Sequence, residues 1–146
     1  MLATRNRMRT SANFSHTVRS GARNGRRNVV LYVEFTTPKE PTQIGFIVSK
    51  AVGNAVTRNL VKRRLREIAV TTVRLFPEGV NLVVRALPAA TNASWDELVD
   101  DYQRAFARAA RLGQKPPVIR HHDDPKALAD GEKRVEGDDV RDPSQA

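Results

Sequence analysis

Cysteine is absent from the 146 residues. A disulfide framework, a thiolate metal site and a cysteine nucleophile are therefore excluded. No apolar run approaches the ~18–20 residues that a membrane-spanning helix needs. The N-terminus, Met1-Leu-Ala-Thr-Arg-Asn-Arg-Met-Arg9, has no apolar stretch behind its charges and so does not read as a secretory signal. Aromatic residues are few, at 5%. Acids are missing from two long stretches: none precedes Glu34, and none occurs in residues 43–66. What is present is a 40% apolar complement, enough for one core, and 25 Lys+Arg against 16 Asp+Glu, a formal charge of +9. The expectation is a cytoplasmic basic protein whose partner is a polyanion, with nucleic acid ahead of a membrane surface.

The charge is uneven. Residues 1–112 hold 19 Lys+Arg and 8 Asp+Glu, a net of +11, while residues 113–146 hold 6 and 8, a net of −2. The later stretch has no aromatic ring and few apolar residues, too little burial to offset its ordering entropy, and reads as a disordered mixed-charge tail. Residues 1–112 then form one basic domain of a nucleic-acid-binding type, with residues 1–9 as a flexible basic arm. The two acid-free blocks carry Arg5, Arg7, Arg9, Arg19, Arg23, Arg26 and Arg27 in the first, and Lys50, Arg58, Lys62, Arg63, Arg64 and Arg66 in the second.

Periodicity and punctuation give an α-β-β-α-β-α order, a small α+β sandwich. Ser11 caps a short helix to about residue 19, with Phe14 and Val18 on one face and Gly21 as its stop. Residues 29–35 and 44–49 are strands, expected to pair as an antiparallel hairpin around the Pro38/Pro41 turn. A glycine turn and an Asn54 cap open a long helix over residues 55–75, whose core side is Val61, Leu65, Ile68 and Thr72. The near-continuous apolar run of residues 80–87 suits a central strand. Ser94-Trp-Asp-Glu97 is a capping box that opens the last helix, with Gly113 just past its end.

No catalytic set can be assembled. His16 lies in the first helix, and His121 and His122 lie in the tail; no H-E-x-x-H, G-x-S-x-G or phosphate-loop motif occurs. Asp96, Glu97, Asp100 and Asp101 form the densest acidic cluster, conceivable as a two-metal nuclease site but better read as the acidic first turns of a helix. Residues 49–66 are different in kind. A glycine turn into a helix N-terminus presents unpaired N–H groups to a phosphate. Lys50 and Arg58 flank it, Lys62, Arg63 and Arg66 follow one turn later, and Asn59 stands between them as a donor–acceptor for a ribose or base edge. The rank spans roughly 12 Å at 1.5 Å per residue and contains no acid of the kind that usually pairs at i,i+4. RNA or DNA binding follows.

The run Lys50-Ala-Val-Gly53-Asn54-Ala55-Val-Thr-Arg58-Asn59-Leu-Val-Lys62-Arg63-Arg-Leu-Arg66 resembles the signature, the RNR motif, of the bacterial ribonuclease P protein subunit family. The surrounding order of elements agrees over roughly residues 10–112. The resemblance implies an α-β sandwich with a left-handed βαβ crossover, contrary to the usual hand. It also implies removal of the 5′ leader from precursor tRNA by an RNA subunit using Mg²⁺, with the protein improving substrate capture and metal affinity. Carried over by position, Lys50, Asn54, Arg58, Asn59, Lys62, Arg63 and Arg66 contact the RNA subunit. Phe14, Val18, Tyr32 and Phe46 line a cleft for the single-stranded leader. Val18 stands where the family pattern has a larger, often aromatic residue. The partners implied are ribonuclease P RNA and precursor tRNA, with no protein partner evident; a structural, ribosomal-type RNA-binding protein is the alternative reading.

Overall fold

Residues 80–86 are Val-Asn-Leu-Val-Val-Arg-Ala, β-branched and apolar nearly throughout, and they become the strand around which the sheet assembles. The computed structural model describes residues 2–113. Within it, helix α1 (Ser11–Ser20) is followed by strands β1 (Ala22–Gly25), β2 (Val29–Phe35) and β3 (Gln43–Ile47), then helix α2 (Ala55–Leu75), strand β4 (Val80–Ala86) and helix α3 (Trp95–Gly113). The four strands lie in the order β1-β2-β4-β3. β4 pairs antiparallel with β2, placing Tyr32 opposite Val83, and parallel with β3, placing Phe46 opposite Val84.

The expected hairpin between residues 29–35 and 44–49 is not formed. β4 lies between the two strands, and β3-α2-β4 is instead a parallel crossover unit. β4 satisfies a backbone ladder on both edges and buries both faces, as its apolar run requires. β2's real hairpin partner is β1, through Ala22 opposite Val33 and Gly25 opposite Val30. The order is thus α-β-β-β-α-β-α, one strand more than expected.

Strand alternation sorts the side chains into two layers. Val29, Leu31, Val33, Leu82 and Val84 face α2 and α3, which bury Val61, Leu65, Ile68, Leu98, Tyr102 and Ala105 against them. The two helices are further tied by a 2.8 Å hydrogen bond between the Thr72 and Tyr102 hydroxyls and by the Phe76 and Phe106 rings at 5.6 Å. On the other face Val18 and Phe14 of α1 pack with Met8, Tyr32, Ile47 and Val83.

The caps follow the side chains available. Asn54 Oδ1 accepts from the Thr57 N–H at 2.9 Å. Ser94 and Glu97 exchange both bonds of a capping box, at 3.1 and 2.9 Å. The cap of α1 is Thr10, one residue before the expected Ser11, its side chain accepting from the Asn13 N–H. Gly113 is the last residue of α3 rather than the first beyond it.

The segment expected to be a flexible arm is docked. Leu2 is buried, Asn6 Nδ2 donates to the Thr42 carbonyl at 2.7 Å, and the Met8 N–H donates to the Ile44 carbonyl at 3.0 Å. Arg7 makes a parallel bridge to Ile44, so the chain start lies along β3. Residues 114–146, with the expected tail and with His121 and His122, lie outside the described residues.

Candidate nucleic-acid interface

The start of α2 is shaped by its sequence. Gly53 takes φ +154°, which a side chain disfavours, and a Cβ there would sit 2.9 Å from Thr57 Cγ2. This tight turn lets Asn54 cap the helix. The first turn contains no acid, so its N–H groups and dipole present positive potential to solvent.

At about 100° per residue, the cations of α2 fall into two ranks. Arg58, Lys62 and Arg66 are half-buried along one flank of the helix, while Asn59 and Arg63 stand exposed at its crest, with Asn54 exposed at the cap. Lys50 is exposed in the single-turn 3-10 helix Lys50–Val52 just before. The Nε of Arg58 is buried and meets no acceptor among the described residues.

The flank rank opens on a cleft of about 220 Å³ at the β3 edge. Phe14 of α1 and Phe46 of β3 supply its rings, Lys62 and Arg66 its α2 wall, and Arg7 and Met8 its wall from the chain start; Ile44 and Gly45 complete it. Three cations and no acid line this space, so its chemistry suits a phosphodiester flanked by a base. Gly45 sets its depth. A Cβ at that position would lie 2.5 Å from Cε1 and Cζ of Phe14 and 3.2 Å from Met8 Cβ. Only glycine lets the Phe14 ring lie against the strand.

Among the residues expected in the leader cleft, Phe14 and Phe46 line it and are half-buried. Val18 and Tyr32 are packed in the layer beneath, 2% and 1% exposed. Among those expected on RNA, the structure brings Lys62 and Arg66 to the same cleft as the two rings. Sequence reasoning missed Gly45, Arg7 and Met8 as cleft residues. A glycine inside a strand, between Ile44 and Phe46, was the available sign of a close approach; the chain start carried none.

Three of the four acids of α3 are committed elsewhere. Asp101 Oδ2 accepts from the Asn28 backbone N–H at 3.0 Å and from Asn28 Nδ2 at 2.9 Å, with Arg26 Nε 3.6 Å from its other oxygen. Asp100 pairs with Arg104 at 3.0 Å, whose guanidinium it holds above its ordinary pKa through that hydrogen bond and its charge. Glu97 closes the capping box. A second cavity of about 360 Å³ lies here, between Arg27, Asn28, Asn92 and these acids. Among the described residues, no group of three or more His, Asp or Glu is arranged to hold a metal ion. His16 sits 3.1 Å from Glu34, a contact between α1 and β2.

Residues 2–110 match the family described as Ribonuclease P. A Kocuria rhizophila protein named Ribonuclease P protein component is 67% identical over 111 residues, which cover 76% of this chain and 97% of that protein. A Pseudarthrobacter chlorophenolicus protein of the same name is 62% identical over 117 residues, covering 80% and 86%. The solved Staphylococcus aureus RNase P protein aligns with a TM-score of 0.63 over 71% of this chain and 94% of its own, at 24% identity. The RNase P protein from Thermotoga maritima gives 0.62 over 71% and 97%, at 20% identity. These two likenesses establish the α+β fold.

Proposed function

The chain belongs to the ribonuclease P protein family, the protein component of the tRNA-processing ribonucleoprotein endoribonuclease, and we propose that its cleft receives the single-stranded 5′ leader of precursor tRNA in the cytoplasm. Family membership sets aside the ribosomal-type alternative. The observation that supports the leader reading is the cleft itself, where two rings meet Arg7, Lys62 and Arg66 without an acid. Rings stack on any base, and cations track a backbone whatever its sequence. A leader varies in sequence between tRNAs, so sequence-tolerant chemistry is what its capture requires.

In this reading Lys50, Asn54, Arg58, Asn59, Lys62, Arg63 and Arg66 hold the RNA subunit, and Lys62 and Arg66 stand where that surface borders the leader. Val18 and Tyr32 support the cleft from below. Chemistry at the scissile phosphate falls to the RNA subunit and its Mg²⁺. The protein's own donors do not fit such an ion: the cleft is cationic, and three of the four α3 carboxylates serve Asn28, Arg26, Arg104 and a helix cap. The protein's part is to bind, orient and neutralise.

The test compares precursor and mature tRNA binding by the reconstituted holoenzyme. Stacking is worth about 1–3 kcal/mol per base, or about 5- to 150-fold in affinity. Phe14→Ala should lose an amount in that range for the precursor and leave mature tRNA unchanged. Equal losses for both would return Phe14 to a purely packing role.

A further inference from the structure

The crest of α2 carries two apolar side chains that the protein does not cover. Val56 is 78% exposed, and Leu60, one turn later, 38%. They lie opposite the core side of the helix, with Asn59 and Arg63 beside them, both exposed. We infer that Val56 and Leu60 form an apolar step which the catalytic RNA covers with an unpaired base or a ribose face, beside the polar contacts of Asn59 and Arg63. This deepens the function proposed above and rests on it.

Charge complementarity names the occupant. Residues 43–66 contain no acid, and Arg63 has no ion-pair partner among the described residues, so a polyanion is favoured over a protein surface. Glu67, the next acid along the crest, closes the surface at its C-terminal side. An apolar step within a cationic rank differs from a phosphate-only footprint. Phosphate contacts release counterions and weaken as salt rises, whereas apolar contact with a base or sugar face does not. Binding to the catalytic RNA then has a part that survives high salt, and its address is Val56 and Leu60.

The experiment measures equilibrium binding of the full chain to ribonuclease P RNA over a salt series, alongside leader discrimination by the holoenzyme. The double variant Val56→Ala/Leu60→Ala should weaken RNA binding by about tenfold or more with an unchanged salt slope. Alanine favours helix at both positions, so folding is spared. Val56→Asp should weaken binding further, although an acid in the first turn suits the helix itself. Arg63→Ala should flatten the slope by about 0.7–0.9. None of the apolar variants should change precursor-over-mature discrimination. Wild-type affinity in the double variant would overturn the inference, as would a flattened slope. So would a wild-type dimer, formed without RNA, that the double variant abolishes, since the step would then be covered by a second copy. If the wild-type chain neither binds nor stimulates the RNA, the proposed function fails; if it does both and the double variant matches it, this inference alone fails.

Discussion

Gly45→Ala adds one carbon at the floor of the cleft. That carbon would sit 2.5 Å from two atoms of the Phe14 ring, about 1 Å inside the 3.4 Å at which ordinary contact begins. The ring must withdraw by about that much, because the other side of the new methyl is bounded by Met8 Cβ at 3.2 Å. Forcing a methyl into a packed layer costs about 1–3 kcal/mol. Against this, replacing glycine by alanine in a strand lowers the entropy of the unfolded chain and contributes about 0.4–1 kcal/mol. The single-variant stability change is therefore a difference of two similar quantities, and a double-mutant cycle with Phe14→Ala separates them. With the ring present, Gly45→Ala should destabilise by up to about 2.6 kcal/mol in urea or thermal unfolding. With the ring gone it should be neutral or stabilising by up to about 1 kcal/mol. The coupling of about 1–3 kcal/mol is the strain itself. In the holoenzyme, Gly45→Ala should weaken precursor binding and spare mature tRNA, because the displaced ring no longer lines the cleft at its native depth. An identical stability change in both backgrounds would refute the argument that Gly45 exists to seat Phe14.

Three further outcomes follow from the geometry. Tyr102→Phe removes the partner of the buried Thr72 hydroxyl, so thermal unfolding should show a loss of about 1–2 kcal/mol while RNA affinity stays at the wild-type value. Asp101→Asn weakens the charge-assisted bonds to Asn28 and Arg26 and should cost about 1–3 kcal/mol, with holoenzyme cleavage intact; lost cleavage in a folded variant would revive a nuclease role for the α3 acids. Asn6→Ala removes the donor to the Thr42 carbonyl and should speed amide exchange at Met8, whose N–H bonds to Ile44; unchanged exchange would show that the chain start is held by other contacts.

Local features were legible and pairings were not. Helix α2 spans Ala55–Leu75 as its periodicity and Asn54 cap imply, because hydrophobic spacing and capping are written within a few neighbouring residues. Its core side, Val61, Leu65, Ile68 and Thr72, is buried as expected. The α3 capping box was equally plain. Strand partnership depends on residues far apart. β4's apolar run announced a central strand, but nothing in residues 29–49 says that β4 will lie between β2 and β3. β1, with Ala, Arg, Asn and Gly, has poor strand propensity and forms because the edge of β2 offers it a ladder. At the site, the basic α2 face was readable as a charge pattern. Its division into a flank that faces Phe14 and a crest that faces solvent required the sheet to place α1, β3 and the chain start around one cleft.

Capture and positioning of RNA, for a reaction carried by RNA, is the role proposed for this chain. Its most direct test is cleavage of precursor tRNA at low Mg²⁺ with ribonuclease P RNA alone, the purified protein alone, and the two together. The RNA alone should cleave slowly, the protein alone not at all, and the mixture far faster than the RNA. Efficient cleavage by nuclease-depleted, RNA-free protein, or an RNA rate that the protein leaves unchanged, would contradict that role.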